Sequence, residues 1–98
     1  MTIEIMKNEN EIIIEVEGRL DTNTAPTLEK TINENTEDNN NLVLDLKKLE
    51  YISSAGLRVL LSAQKKMNKN GSMKVKNVSE AVMAVFEMTG FADILVIE

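Results

Sequence analysis

Short apolar runs separated by polar turns alternate along this chain with segments of helical periodicity. Five of the runs predict strands, at residues 2–6, 11–17, 42–46, 73–78 and 94–97. The polar residues between the first two runs predict an antiparallel hairpin, and Gly18 is expected to end its second strand. The third run is apolar except for Asp45 near its end. A nearly continuous apolar run of this kind favours a strand that is buried on both faces.

Three segments place apolar residues three or four positions apart, which is typical of amphipathic helices. The first follows Pro26, the second is expected to end at Asn70 or Gly71, and the third runs from Ser79 to Gly90. The residues expected to face the core are Leu28 and Ile32 in the first helix, Leu57, Leu60, Leu61 and Met67 in the second, and Val82, Val85 and Phe86 in the third.

The order of these elements is strand, strand, helix, strand, helix, strand, helix, strand. Right-handed crossovers through helices make successive strands parallel neighbours, while the opening hairpin adds an antiparallel edge. We therefore expect an α/β fold, with a mixed sheet of about five strands and three helices packed on it. The length of 98 residues suits a single domain, residues 1–98. Residues 37–41 are polar and predict the connection that precedes the central strand.

Composition narrows the possible functions. The chain has no cysteine and no histidine, which excludes a thiol nucleophile and removes the commonest metal ligand and general base. A formal net charge of −5 disfavours direct contact with nucleic acid or with an anionic membrane surface. We therefore expect a protein partner, with no cofactor and no metal.

The amino terminus bears on the expected location. It lacks the basic region and the long apolar stretch of a secretion signal. No apolar run approaches the roughly 20 residues that a membrane-spanning helix needs. The expected location is therefore the cytoplasm.

The strongest candidate for function is the junction between the central strand and the central helix, Tyr51-Ile52-Ser53-Ser54-Ala55-Gly56. A serine in this position can cap the helix and stabilise it by roughly 1 kcal/mol. Gly56 costs helix stability where it is interior, so the close approach of another backbone or molecule is its expected compensation. The open start of a helix also favours negative charge.

Several segments together resemble the anti-sigma factor antagonists of the STAS domain class. These segments are Gly18-Arg19-Leu20-Asp21, Leu42-Val43-Leu44-Asp45-Leu46, Tyr51-Ile52-Ser53-Ser54-Ala55-Gly56-Leu57, Asn77-Val78-Ser79 and Thr89-Gly90-Phe91. The resemblance implies a domain that binds an anti-sigma factor, a serine kinase of the histidine-kinase-like ATPase type, and thereby releases a sigma factor to RNA polymerase. It also implies that the kinase phosphorylates one serine, which abolishes tight binding, and that a metal-dependent serine phosphatase restores it.

Carried over by position, the phosphoacceptor of that family corresponds to Ser54. Many phosphorylated members have an acid before this serine and a Ser or Thr after it, where this chain has Ser53 and Ala55. The residues expected to face the partner are Asp21, Thr22, Asn23, Ser53, Ser54, Ala55, Gly56, Leu57 and Arg58. A phosphoserine adds about −1.5 to −2 charges. We expect it to weaken partner binding by burying an unmatched charge, and to leave the fold almost unaltered.

Two other functions remain open on the sequence. One is a STAS subunit of another assembly, such as a lipid-transport or chemosensory complex, with no phosphate cycle. The other is a hydrolase with Ser54 as nucleophile and Lys47 or Lys48 as base, although no triad or nucleophile-elbow pattern is present. Phosphorylation of Asp45, as in a receiver domain, is disfavoured, since the first strand ends in Met6-Lys7-Asn8 rather than in the acids that hold Mg²⁺.

Overall fold

A five-stranded mixed sheet forms one layer of the protein, and the helices pack against it. The protein is described by a computed structural model for residues 1–37 and 41–98. Residues 38–40, in the connection predicted at 37–41, lie outside the described residues. The elements in chain order are β1 (Thr2–Lys7), β2 (Glu11–Leu20), α1 (Ala25–Asn35), β3 (Asn41–Asp45), β4 (Leu49–Ile52), α2 (Ser54–Asn70), β5 (Ser72–Lys76), α3 (Glu80–Thr89) and a 3-10 turn (Phe91–Asp93).

The sheet has the strand order β1-β2-β3-β5, and β4 pairs with the end of β2 beside this row. β1 and β2 are antiparallel, with Ile3 opposite Val16 and Ile5 opposite Ile14. The pairs of β2 with β3, β3 with β5 and β2 with β4 are parallel. The predicted α/β fold, in which an antiparallel hairpin leads into a parallel sheet, is thus confirmed.

The second strand is longer than predicted. Gly18 does not end it, because the strand continues to Leu20 and its register shifts between Gly18 and Arg19. Gly18 has a φ of +99°, which glycine adopts more readily than other residues. The glycine therefore forms an irregularity that re-aims the strand instead of stopping it. Beyond this point β2 pairs with β4 rather than with β3.

The sequence patterns do not predict β4. Its two end residues are buried and the two between them are exposed, which is not the alternation that marks a half-buried strand. The N–H of Leu49 donates to the Leu46 carbonyl at 3.1 Å, so only a tight turn separates β3 from β4. The strand-to-helix junction predicted at residues 51–56 therefore begins inside the sheet.

The predicted last strand at 94–97 is wrong except for one residue pair. The 3-10 turn follows α3, and the N–H of Leu95 donates to the Phe91 carbonyl at 2.9 Å. Leu95 is buried, and Ile97 forms a single bridge to Val75 of β5. This isolated bridge is not a strand of the sheet, and the fifth strand is β4, which pairs with β2.

The helices bury most of the residues that their periodicity predicted. The buried ones are Leu28 and Ile32 of α1, Leu57, Leu60 and Met67 of α2, and Val82 and Phe86 of α3, whereas Leu61 and Val85 are half-buried. Within the described ranges, no helix is long and apolar enough to cross a membrane. The helices pack in one cluster with Ile12, Ile14 and Val16 of β2.

Candidate functional site

The ends of β2 and β4 bring two of the predicted segments together. Leu20 lies opposite Ile52 in this parallel pair, and the N–H of Ser53 donates to the Leu20 carbonyl at 2.9 Å. Because parallel strands point in the same direction, residues 21–23 and residues 53–58 leave the sheet side by side. We call these two segments the β2–β4 edge.

Ser53 is the N-cap of α2. Its backbone is extended, with φ −97° and ψ 175°, and its Oγ accepts a hydrogen bond from the N–H of Gly56 at 3.3 Å. Its carbonyl accepts the first helical bond, from the N–H of Leu57 at 2.9 Å. The hydroxyl of this half-buried residue is therefore engaged in holding the helix start.

Ser54 is the first residue of α2 and is exposed. Its side chain forms no hydrogen bond with any residue in the ranges 1–37 and 41–98. The capping role that the sequence allowed for either serine is thus taken by Ser53. The Ser54 hydroxyl faces solvent at the helix start, where another molecule can reach it.

Gly56 and Leu57 lie beneath this surface. A Cβ atom on Gly56 would lie 2.7 Å from Cγ of Leu20 and 2.9 Å from Cγ1 of Ile52. A close approach is present at this glycine, but the approaching groups are side chains of the same domain and not the other backbone or molecule that was expected. Leu57 is only 6% exposed and belongs to the core. These two residues therefore shape the edge from below, while Ala55 is half-buried and Arg58 is exposed.

The loop at residues 21–23 is held by reciprocal hydrogen bonds. Oδ1 of Asp21 accepts from the N–H of Asn23 at 2.9 Å and of Thr24 at 3.1 Å. In return, Oγ1 of Thr24 accepts from the N–H of Asp21 at 2.9 Å. Thr22 and Asn23 are exposed. The loop is thus an ordered turn that presents two polar residues to solvent beside Ser53 and Ser54.

The Asp21 carboxyl is held in its ionised form. Partial burial raises the pKa of this carboxyl, but hydrogen bonds from the backbone N–H groups of Thr24 and Asn23 and from the Thr24 hydroxyl outweigh it, so the pKa lies below its ordinary value of 3.8. The Arg19 guanidinium, with Nε 4.0 Å from Oδ2, lowers the pKa further. The Asp21 side chain is therefore negatively charged at neutral pH.

Sequence reasoning missed one feature of this surface. The guanidinium of Arg19 lies 4.1 Å from the centre of the Tyr51 ring, in the range of a cation–π interaction. The two residues are opposite each other in the pairing of β2 with β4, and Tyr51 is 41% exposed. Both belong to segments that the resemblance included, but only the pairing of β4 with β2 places them together.

Asp45 has the role of a strand-end acid. Its Oδ1 accepts a hydrogen bond from the N–H of Lys47 at 3.0 Å and from Nδ2 of Asn77 at 3.1 Å. Across residues 1–37 and 41–98, no group of three or more acidic side chains could hold a metal ion. These contacts give Asp45 a structural role, as an acceptor of hydrogen bonds from the chain around it.

Lys48, one of the two candidate bases for Ser54, is paired elsewhere. Its Nζ lies 3.2 Å from Oε1 of Glu15 on the sheet. The hydrogen bond with this carboxylate raises the pKa of Lys48, and the charge of the same group adds to the effect. A lysine that holds its proton more tightly is a poorer general base at neutral pH.

The sequence model of the STAS domain family matches residues 2–98. The chain belongs to this family. An anti-sigma-B factor antagonist of Bacillus subtilis (strain 168) is 33% identical to this STAS domain over 96 residues, which cover 97% of this chain and 88% of that protein. The similarity therefore extends over nearly the full length of both chains.

Solved structures have the same fold as this STAS domain. The crystal structure of an anti-sigma factor antagonist from Mycobacterium paratuberculosis matches it with a TM-score of 0.88 and 27% identity, covering 98% of this chain and 83% of that one. The phosphorylated form of the Bacillus cell fate determinant SpoIIAA matches with a TM-score of 0.75, covering 99% of this chain and 91% of that one. Its identity is 16%, so this second match bears on the fold alone.

Proposed function

We propose that this STAS domain is an anti-sigma factor antagonist, which binds an anti-sigma factor at the β2–β4 edge and so releases a sigma factor to RNA polymerase in the cytoplasm. The names of its relatives support this function. The observation that carries the proposal is the exposed hydroxyl of Ser54, which stands at the first position of α2 beside the ordered Asp21 loop. Exposed Thr22, Asn23 and Arg58 complete the surface offered to the partner.

The proposed partner is a serine kinase of the histidine-kinase-like ATPase type. It transfers the γ-phosphoryl group of ATP to Oγ of Ser54, with release of ADP and of the hydroxyl proton. A metal-dependent serine phosphatase then hydrolyses the phosphate ester to restore the hydroxyl. The domain itself is a binding protein in this cycle and catalyses neither step.

The acceptor in this proposal is Ser54 rather than Ser53. The Ser53 hydroxyl is half-buried and accepts the N–H of Gly56, so its modification would remove the helix cap. The Ser54 hydroxyl is exposed, and its modification leaves that cap in place. Many phosphorylated family members have an acid before the acceptor, where this chain has Ser53. Ser53 caps α2, and a short hydroxyl side chain suits that role.

Phosphorylation of Ser54 would end binding through its charge. The added charge of about −1.5 to −2 would be buried against a partner surface that fits a neutral hydroxyl. The ionised Asp21 carboxylate on the same edge adds repulsion of like charge. A loss of about 4 kcal/mol in binding free energy weakens affinity roughly a thousandfold, so a modest mismatch suffices for a switch.

The same phosphate is compatible with the fold. At a helix start, unpaired N–H groups and the helix dipole favour negative charge. The Bacillus determinant solved in its phosphorylated form retains the fold that this domain has. Partner binding and stability are therefore separable at Ser54, which is the property that a reversible switch requires.

The proposal is tested by incubating the protein with the purified anti-sigma factor and ATP, followed by intact mass measurement and peptide mapping. We expect one phosphate on the peptide that contains Ser54. It should be absent in Ser54→Ala and present in Ser53→Ala. In parallel, the unphosphorylated protein should displace sigma factor from a preformed complex with the anti-sigma factor.

Other outcomes assign other functions. Stable binding to a complex of another kind, with no phosphate on Ser54, would indicate a regulatory subunit of that assembly. Substrate turnover by the isolated protein that disappears in Ser54→Ala would indicate a hydrolase. The ion pair with Glu15 disfavours Lys48, one of the two candidate bases for such a hydrolase.

A further inference from the structure

Helix α2 carries positive charge only. It has four basic residues, Arg58, Lys65, Lys66 and Lys69, and no acidic residue among its 17 positions. The whole chain has a net charge of −5. The negative charge of the protein therefore lies outside this helix, and α2 presents a local surface of opposite sign.

These charges lie along one exposed side of the helix. Positions 54, 58, 62, 65 and 69 recur every three or four residues, and all five are exposed. Ser54 heads this row, and three of the four basic residues follow it. At about 1.5 Å per residue, the charges extend for about 16 Å from Arg58 to Lys69. We call Arg58, Lys65, Lys66 and Lys69 the basic face of α2.

The rest of the described chain does not neutralise this face. Within residues 1–37 and 41–98, none of its four cations forms an ion pair with a carboxylate, whereas Lys48, Lys74 and Lys76 do. The half-buried Lys66 donates instead to Oγ1 of Thr36 at 3.0 Å and to Oδ1 of Asn33 at 3.4 Å.

The spacing of the charges adds a cost to the isolated helix. Lys65 and Lys69 are four residues apart, a spacing at which like charges destabilise a helix. The helix dipole favours a cation at Lys69, which lies in the last turn, but it does not account for Arg58, which lies in the first half of the helix. A surface of negative charge placed against the basic face would remove the repulsion.

A cleft of about 140 Å³ opens beside the basic face, between α1 and α2. Ile32, Val59 and Ala63 give it an apolar floor, and Ser62 and Lys66 stand at its rim. Its lining also includes Glu29 and Asn33 of α1. The cleft is of a size to accept one apolar side chain of a partner.

We propose that the basic face of α2 extends the Ser54 surface and docks an acidic surface of the anti-sigma factor, with one apolar side chain of that partner in the cleft. This inference rests on the proposed function, since the partner is the same. A protein fits better than a nucleic acid or an anionic membrane, because the net charge of −5 repels an extended polyanion and the cleft has an apolar floor.

The two parts of this surface have different kinetic roles. The basic face attracts the acidic partner and raises the association rate constant in a manner that salt weakens. The cleft holds an apolar group and lengthens the life of the complex. A phosphate on Ser54, one helical turn before Arg58, would oppose this attraction at the head of the row.

The charge is tested with Lys65→Gln/Lys69→Gln, and Lys7→Gln/Lys47→Gln is the matched control. All four lysines are exposed, and both variants remove two positive charges. Association with the purified anti-sigma factor is measured by stopped flow at low and at high salt. We expect the first variant to associate about tenfold more slowly than wild type at low salt, with a weaker salt dependence, and the control to change by less than about twofold.

The cleft is tested with Ser62→Leu, which fills it from an exposed rim position, and with Ser62→Ala as its control. Circular dichroism confirms that both are folded. We expect Ser62→Leu to dissociate about tenfold faster than wild type and Ser62→Ala to dissociate at the wild-type rate. Equal dissociation rates for all three would overturn the assignment of the cleft.

The remaining outcomes are distinct. If both lysine variants slow association equally, or neither does, the basic face has no specific role and the proposed function stands. If wild type fails to bind the anti-sigma factor at all, both proposals fail. The last outcome is that the wild-type protein, without any partner, binds duplex DNA or phosphatidylglycerol vesicles, and that Lys65→Gln/Lys69→Gln abolishes this binding. The basic face would then be a binding site for a polyanion that carries phosphate groups, and the inference would be overturned.

Discussion

The starts of α2 and α3 are capped in the same way but carry different residues at the first helical position. A serine precedes each helix, and the hydroxyls of Ser53 and Ser79 accept the backbone N–H three residues on, at 3.3 and 3.2 Å. The next residue is Glu80 in α3 and Ser54 in α2. The positive end of a helix dipole favours an acid at this position. α3 thus has a stabilising charge that α2 lacks.

This difference separates stability from function. Because α3 carries a carboxylate at its first position, the fold has no general requirement for a neutral residue there. The neutral hydroxyl at Ser54 is then explained by the partner that binds over it, which we propose to be the anti-sigma factor. From this comparison we expect a charge at position 54 to change partner binding, and a charge at position 80 to change the stability of α3.

The largest expected effect is on affinity, from exchanging the residues at this first position. Ser54→Glu should weaken binding to the anti-sigma factor by about a hundredfold to a thousandfold, because it buries an unmatched charge in the interface. The matched change, Glu80→Ser, should leave affinity unchanged. Isothermal titration calorimetry measures both. Equal losses from the two variants would break the comparison.

The next largest expected effect is on stability, and it comes from the packing of Gly56 at the start of α2, where α3 has Val82. Gly56→Ala should destabilise the domain by about 1–3 kcal/mol, because its Cβ would lie within 3 Å of Leu20 and Ile52. The usual effect of Gly→Ala in a helix has the opposite sign, a gain of roughly 0.5–1 kcal/mol. Urea unfolding measures the change, with the exposed Ser54→Ala as control. A more stable Gly56→Ala variant would show that α2 does not sit so close to the strand ends.

The shared caps predict matched losses of stability. Ser53→Ala and Ser79→Ala should each lower the free energy of unfolding by about 1 kcal/mol, because each removes one side-chain acceptor from a helix start. Ser54→Ala should change it by less than about 0.5 kcal/mol. If Ser54→Ala proves costly and Ser53→Ala neutral in urea unfolding, the roles of the two serines are reversed.

The smallest effect concerns the Asp21 carboxyl, whose pKa is lowered in the folded protein. Because the pKa of this carboxyl is lower in the folded than in the unfolded protein, its ionisation stabilises the folded state at pH values above the unfolded pKa. The stability that Asp21 adds over Asp21→Asn should therefore be present above pH 3.8 and be lost as the pH falls through the lower, folded pKa. Unfolding of both proteins from pH 7 to pH 2 measures it. A difference that grows as the pH falls would contradict the assigned hydrogen bonds.

The sequence predicted the parts of the fold that depend on local periodicity. Leu28 and Ile32 sit on one helical face and are buried, and the start and end of α3 follow from Ser79 and Gly90. Gly90 has the left-handed conformation, with a φ of +82°, that closes a helix. These features are decided by residues within a few positions of one another, which a pattern can record.

The features that the sequence did not predict depend on pairing between distant segments. β4 is too short to show alternation, and its pairing with β2 depends on the irregularity at Gly18. That pairing in turn brings Arg19 over Tyr51. The division of roles between Ser53 and Ser54 was also open, because two adjacent serines before a helix are both able to cap it, and only the observed helix start decides between them.

The most direct test of the account is one preparation phosphorylated on Ser54 and compared with the unmodified protein for two quantities, affinity for the anti-sigma factor and free energy of unfolding. We predict that affinity falls by at least about a hundredfold while the free energy of unfolding changes by less than about 1 kcal/mol. Unchanged affinity, or a loss of affinity accompanied by unfolding of the domain, would contradict the claim that charge at Ser54 acts on the partner and not on the fold.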